Sequence, residues 1–404
     1  MRYGLLGRKL GHSYSPAIHR QFGNEEYCLF EVEPEELQSF LQNGNFEGLN
    51  VTMPYKKAVI PYLDELTPIA ARIGAVNTIY WHNGKLIGHN TDFYGFQQML
   101  KKSGLSPAGK KCLLLGSGGA SDVVKQVMLD AGAEVVVVSR NGENHYGNLE
   151  LHNDAAIIVN ATPVGMYPNC GESPINIGHF PHLEGILDVI YNPARTKLLM
   201  DAQQRGLITE NGLFMLVFQA QEASCYIANN VVSTAKADEV YHFLHKKMEN
   251  IILIGMPGCG KSTIGQLLAK QCGKQFVDAD SRIAEAAGKS IPKIFAEDGE
   301  DVFRAWETKV LEELGKQSGL VIATGGGCVT QERNYPLLHQ NGRIIWIQRD
   351  LKKLPKQGRP LSLAGSVEEM YAVREHLYRH YADIIIENND AVENTIKTIM
   401  EKLQ

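Results

Sequence analysis

The chain has 404 residues, more than one ordinary core accommodates, with 44% hydrophobic residues, 40 basic against 45 acidic side chains and a formal net charge of −5, so two or three domains are expected. Its basic residues are dispersed rather than gathered in runs, which argues against nucleic acid or an anionic membrane as partner, and no stretch approaches the ~18 apolar residues of a membrane span. Seven cysteines (Cys28, Cys112, Cys170, Cys225, Cys259, Cys272, Cys328) lie scattered without Cys-x-x-Cys spacing, against a disulfide framework or a structural zinc site and in favour of a cytoplasmic enzyme acting on small molecules.

The first hundred residues carry four polar loops, "GHSYSP", "GLNVTMPYKK", "IGAVNTIY" and "GHNTDFYGF". Each is expected to follow a short strand and to present hydroxyl and amide groups to a polyhydroxylated ligand. Lys56 and Asp92 form the best acid–base pair among them, a carboxylate able to orient an ammonium beside a carbonyl. "CLLLGSGGAS" then reads as a strand, a glycine turn (Gly116, Gly118, Gly119, Ala120) and the start of a helix, a turn that lets a pyrophosphate approach the helix N-terminus. The second strand of this unit, "AEVVVVSR", ends at Arg140 where a carboxylate would favour NAD, so NADP(H) is expected. "AAIIVNATP" and "EGILDVIY" continue the alternation of apolar strands with helices, which implies parallel sheets with helical crossovers and an α/β architecture throughout.

In order and spacing these residues resemble shikimate dehydrogenase over residues 1 to about 245. The resemblance implies that Ser13 and Ser15 meet the substrate carboxylate. Thr52, Asn77 and Asn90 would meet its hydroxyls or neighbouring groups, with Gln219 a further substrate contact, while Lys56 and Asp92 carry catalysis on 3-dehydroshikimate. Asn160, Thr162 and Gly212 join the glycine turn and Arg140 on the cofactor side. Residues 1–95, with return helices in 216–247, would form the substrate domain, and residues 96–215 a Rossmann domain for NADP(H).

The stretch 216–247 lacks proline and glycine and reads as one or two helices, with no flexible linker before the strand "NIILIG". "GMPGCGKS" then fits G-x-x-x-x-G-K-[ST], a phosphate loop in which Gly258 and Gly260 let the backbone curl, Lys261 neutralises phosphate charge and Ser262 reaches Mg²⁺, with Thr263 beside them as a further nucleotide-binding residue. Asp278 and Asp280, two apart on an extended segment, would face one side, one serving Mg²⁺ and the other gripping an acceptor hydroxyl. Arg304, the Gly325-Gly326-Gly327 turn, Arg359 and Arg374 follow.

Together these motifs resemble shikimate kinase over residues 249–404, a P-loop α/β domain with a parallel sheet. That implies ATP as phosphoryl donor, Asp280 on the hydroxyl of shikimate, Arg304 and Arg374 on its carboxylate, and the triple glycine against its ring. Lys261 and Arg359 would assist transfer, Arg359 from a lid, with Ser262 and Asp278 on Mg²⁺. The stretch "RDLKKLPKQGRPLS" departs from the family in being short, with Arg349 displaced. The two resemblances together describe a bifunctional enzyme for consecutive steps, whose oligomeric state the residues leave open. Alternatives are a dehydrogenase half acting on quinate or an analogue, or a kinase half serving as a nucleotide-sensing module.

Overall fold

The computed structural model describes residues 3–11, 13–228, 231–354 and 366–403, and the chain divides into two compact units. The first comprises Met1–Met166, Glu172–Tyr191 and Leu198–Leu244; the second comprises His245–Gln404 with Tyr167–Gly171 and Asn192–Lys197.

The first unit contains two sheets. One has six strands, β1 (Tyr3–Gly7), β2 (Cys28–Glu31), β3 (Gly48–Val51), β4 (Glu65–Leu66), β5 (Thr78–His82) and β6 (Lys85–His89), in the order β2-β1-β3-β5-β6-β4. It is mixed: β5 runs antiparallel to both β3 and β6. The cause is local, since Asn83 and Gly84 both adopt positive φ (51° and 75°), the backbone of a two-residue hairpin turn that Asn-Gly favours. The other sheet is fully parallel, with β7 (Lys111–Leu115), β8 (Glu134–Val138), β9 (Ile157–Asn160), β10 (Gly185–Asp188) and β11 (Ile208–Asn211) ordered β11-β10-β9-β7-β8. Leu113, Leu115, Ile158 and Ile186 in its centre are fully buried, as strands covered on both faces require. The stretch 216–247 falls in two helices, Leu213–Ile227 and Thr234–Met248.

The second unit has one parallel sheet of β12 (Asn250–Ile254), β13 (Gln275–Asp278), β14 (Leu320–Ala323), β15 (Gly342–Gln348) and β16 (Ile384–Glu387), in the order β13-β14-β12-β15-β16. Its central strands bury Ile252, Leu253, Val321, Ile344 and Ile345 completely. Among the described residues no helix is long and apolar enough to cross a membrane.

One buried group makes the first unit acid-sensitive. His19 is fully buried, stacked on Tyr27 at 4.1 Å between ring centroids, with Nδ1 3.2 Å from Ser224 Oγ. Burial lowers its pKa to about 3 from 6.5. The unfolded chain therefore takes up a proton below pH 6.5 that the folded unit refuses, and stability, complete above that pH, declines towards pH 3. The expected slope between pH 6 and 4 approaches 1.4 kcal/mol per pH unit. Denaturant unfolding at several pH values checks it: His19→Gln should flatten the slope whatever it does to absolute stability.

Candidate active sites

In the first unit, antiparallel pairing gathers the polar loops. Thr78 of β5 lies opposite Asn50 of β3 and His89 of β6, so the residues after β3, before β5 and after β6 share one edge. Asn77 thus precedes a strand rather than following one, yet reaches the same place as Thr52 and Asn90 because its strand is reversed. Lys56, on the single helical turn Tyr55–Ala58, donates from Nζ to Asp92 Oδ2 at 2.5 Å, the two side chains 23% and 13% exposed. Asp92 opens the helix Asp92–Ser103, whose N-terminal dipole end favours a carboxylate.

That helix packs on Leu213–Ile227 so closely that a Cβ on Gly95 would sit 2.6 Å from the Met215 carbonyl and 2.9 Å from Gln219 Cβ. Glycine at 95 is what brings Gln219 to the site. Thr91, fully buried, ties the group together: its backbone N donates to Asn77 Oδ1 at 2.7 Å, and its hydroxyl meets Asn77 Nδ2 at 3.1 Å and Gln219 Oε1 at 3.4 Å. Sequence reasoning missed Thr91, although it sits inside "GHNTDFYGF". Asn90 donates to the Ala75 carbonyl at 2.9 Å, while its Oδ1 is buried without a hydrogen-bond partner among the described residues. Ser13 Oγ accepts from the Ser15 backbone N at 3.2 Å, where the helix Ser15–Gln21 begins.

On the cofactor side β7 runs through Gly116 into the helix Gly119–Asp130. No atom lies within 4 Å of a Cβ built on Gly118 or Gly119, so the start of this helix, at Ala120, is open to a phosphate, which fits a dinucleotide. Arg140 stands exposed in the turn after β8. Asn160 closes β9 by donating to Asp188 Oδ1 at 3.0 Å and accepting from the Thr162 backbone N and hydroxyl at 3.0 and 2.7 Å. Gly212 begins the helix Leu213–Ile227 where a Cβ would lie 2.0 Å from the Val189 carbonyl. Exposed pairs, Lys57 with Asp122 at 2.9 Å and Arg72 with Asp130 at 2.7 Å, fasten the two ends of Gly119–Asp130, each contributing about 0–1 kcal/mol.

In the second unit a cavity of about 610 Å³ is lined by the phosphate loop, Asp278, Asp280, Arg304, Glu307, Gly325–Gly327, Arg349 and Arg374, among others. Gly255, Gly258 and Gly260 hold φ of 139°, 84° and 103°, which turns the loop around a phosphate-sized space. Lys261, 8% exposed, donates to the carbonyls of Gly255 at 2.8 Å and Met256 at 3.1 Å. Ser262 Oγ meets Asp278 Oδ2 at 2.7 Å, a hydroxyl–carboxylate pair whose oxygens suit Mg²⁺. Thr263 is exposed on the helix Lys261–Cys272.

Asp278 and Asp280 reach one cavity, but not by alternation along an extended segment. Asp278 ends β13 and caps the helix Ala279–Ala287 through Ser281 N at 3.1 Å, and Asp280 lies in that helix's first turn. Sequence reasoning overlooked Glu307, one helical turn beyond Arg304. Arg304 donates to Glu307 Oε2 at 2.8 Å and to Glu300 Oε1 at 2.9 Å. Burial raises the Glu307 carboxyl above its ordinary range, opposed by Arg304 and reinforced by Asp280.

The triple glycine follows from crowding: a Cβ on Gly325 would lie 2.7 Å from Asp280 Oδ1, and one on Gly327 2.4 Å from Arg304 Nη2. Arg374 Nη1 donates to the Gly326 carbonyl at 3.3 Å. Asn388, also unforeseen, anchors the phosphate loop by donating to the Cys259 carbonyl at 2.8 Å. Arg359 lies outside the described residues.

A glycine turn open to a dinucleotide and a lysine–aspartate pair in one unit, with a phosphate loop and an arginine-lined cavity in the other, are the features of an oxidoreductase joined to a P-loop kinase. Comparison with known proteins gives the families. A model of the shikimate dehydrogenase substrate binding domain matches residues 5–79, and one of shikimate kinase matches residues 257–404. The NADP(+) shikimate dehydrogenase of Clostridium perfringens strain 13 is 36% identical over 264 residues, 60% of this chain and 97% of that protein. The shikimate dehydrogenase of Dehalococcoides mccartyi is 37% identical over 54% of this chain and 86% of its own length. Among solved structures, a chorismate mutase/shikimate 5-dehydrogenase fusion protein from Clostridium acetobutylicum is 36% identical with TM-score 0.58, covering 61% of this chain and 97% of that one. The Thermus thermophilus shikimate 5-dehydrogenase, solved with NADP(H) and shikimate, is 32% identical with TM-score 0.54, over 60% and 99%. The chain belongs to the shikimate dehydrogenase family and carries a shikimate kinase domain behind it.

Proposed function

We propose that this chain reduces 3-dehydroshikimate to shikimate with NADPH and then phosphorylates the 3-hydroxyl of shikimate from ATP. The observation that carries the reading is that each unit holds a full set of groups for its own step: the 2.5 Å Lys56–Asp92 pair in one, and Asp280, Arg304 and Arg374 around the phosphate-loop cavity in the other. NADPH, held by the Gly116–Ala120 turn with Arg140, Thr162 and Gly212 nearby in the fold, supplies the hydride. Lys56 gives its ammonium proton to the carbonyl oxygen that becomes the hydroxyl. Asp92 keeps that ammonium aimed and accepts from a substrate hydroxyl. Ser13, Ser15, Thr52, Asn77, Asn90 and Gln219 hold the ring in place.

In the kinase step Asp280 accepts from the attacking hydroxyl while Arg304 and Arg374 fix the substrate carboxylate, a planar anion suited to guanidinium forks. Lys261 exchanges its carbonyl partners for nucleotide phosphates, and Ser262 with Asp278 would hold Mg²⁺, which supplies charge neutralisation. The acceptor groups favour a kinase over a nucleotide sensor, because a sensor has no use for Asp280, Arg304 and Arg374 around one cavity. Seven free cysteines suit the reducing cytoplasm. Incubation with dehydroshikimate, NADPH, ATP and Mg²⁺ should yield shikimate 3-phosphate, and should stop at shikimate without ATP. Consumption of quinate in preference to shikimate under NADP⁺ would overturn the substrate assignment.

The Arg140 reading predicts a preference for NADPH over NADH. Arg140→Ala should narrow that preference by removing a charge-assisted contact of roughly 1.5 to 3 kcal/mol. Parallel kcat/KM measurements with both cofactors check it, and equal values in the parent chain count against the assignment.

A further inference from the structure

We propose that Arg349 is a phosphate-contacting residue of the kinase, a cation presented to the nucleotide polyphosphate from the end of a strand; the proposal rests on the kinase reading above. β12 and β15 run side by side, with Ile254 opposite Trp346, so the residues following β15 flank the phosphate loop that follows β12. The two backbones are in close contact there, since a Cβ on Gly255 would lie 2.4 Å from the Ile347 carbonyl.

The chain on either side of Arg349 is fixed. Asn388 N donates to the Gln348 carbonyl at 2.7 Å, and Asp350 N donates to Asn389 Oδ1 at 2.8 Å. Asn388 also holds the phosphate loop at the Cys259 carbonyl. One asparagine pair thus sets the register of both the loop and the strand end that bears Arg349. The side chain lines the same cavity as Gly258, Lys261 and Asp280.

Its electrostatic surroundings differ from those of the other cavity arginines. Arg304 is engaged by Glu300 and Glu307, and Arg374 by the Gly326 carbonyl. Arg349 Nε is buried and has no hydrogen-bond partner, and no carboxylate pairs with this guanidinium, among the described residues. An arginine held against a phosphate loop with a buried N–H left over is arranged for an anion that arrives with the ligand. Phosphate oxygens of a nucleotide have the charge and the fork geometry to take it.

The test is ATP binding to the full chain without any acceptor, measured by calorimetry, together with steady-state phosphorylation kinetics. Arg349→Ala should weaken ATP binding and lower kcat/KM for ATP by about 10- to 100-fold while KM for shikimate moves by less than about twofold. Arg349→Lys, which keeps the charge but loses the fork, should recover part of the loss. Unchanged ATP affinity in Arg349→Ala would overturn the proposal. So would a loss that Arg349→Lys does not relieve and that comes with a lowered melting temperature, since that marks a structural role. Because ATP binding is read without shikimate, a parent chain that binds ATP but phosphorylates no shikimate defeats the substrate reading and leaves the role of Arg349 to its own result.

Discussion

Lys56→Ala should lower the reduction of dehydroshikimate by about 10²- to 10⁴-fold, the range for a positioned general acid, while NADPH affinity stays nearly constant. The expectation rests on geometry: Lys56 Nζ lies 2.5 Å from Asp92 Oδ2, whereas the dinucleotide turn belongs to the other sheet of the unit. Asp92→Asn should damage the same step, because a neutral amide holds the ammonium less firmly and weakens the hold on the substrate hydroxyl. Stopped-flow or steady-state NADPH oxidation measures the loss, and fluorescence titration of NADPH measures what should not move. Turnover near the parent value in Lys56→Ala would remove this lysine from the proton path. Loss of NADPH binding would point instead to a disturbed fold.

The parts legible in the sequence were those whose chemistry is local. The phosphate loop needs its glycines, lysine and serine within one short run, and the fully buried parallel strands appear as unbroken apolar runs such as "CLLLG" and "NIILIG". The mixed sheet was harder to read. Asn83-Gly84 is a hairpin signal, but the strand-and-helix alternation that implies parallel sheets begins only at "CLLLG", beyond this sheet. Thr91, Glu307 and Asn388 were missed for another reason. Each acts by gripping a neighbour: Thr91 holds Asn77, Glu307 holds Arg304 and Asn388 holds the Cys259 carbonyl. Only the Arg304–Glu307 pair left a local trace, a helical i,i+3 spacing. Asp278 and Asp280 show the opposite case, in which both residues line one cavity although the strand ends between them and a helix begins.

Asp280→Asn should halt the reaction sequence at shikimate. Asp280 stands in the first turn of the helix Ala279–Ala287, and its Oδ1 and Glu307 Oε1 both crowd the place where a Cβ on Gly325 would sit, at 2.7 and 2.9 Å. The carboxylate is thereby held at the wall of the acceptor cavity, where it can take the proton or the hydrogen bond of an attacking hydroxyl. Asparagine keeps the shape and loses the charge, so phosphorylation should fall by about 10²- to 10⁴-fold. ATP binding should persist, because the phosphate loop and Lys261 are untouched. One negative charge fewer should also let the Glu307 carboxyl, raised partly by Asp280, relax towards its ordinary range and pair more firmly with Arg304, so the carboxylate clamp should survive. Chromatography of the products from dehydroshikimate, NADPH, ATP and Mg²⁺ should then show shikimate accumulating in place of shikimate 3-phosphate. If Asp280→Asn abolished reduction as well in a chain that remained folded, the two units would not be independent catalysts and the bifunctional account would be wrong in its central claim.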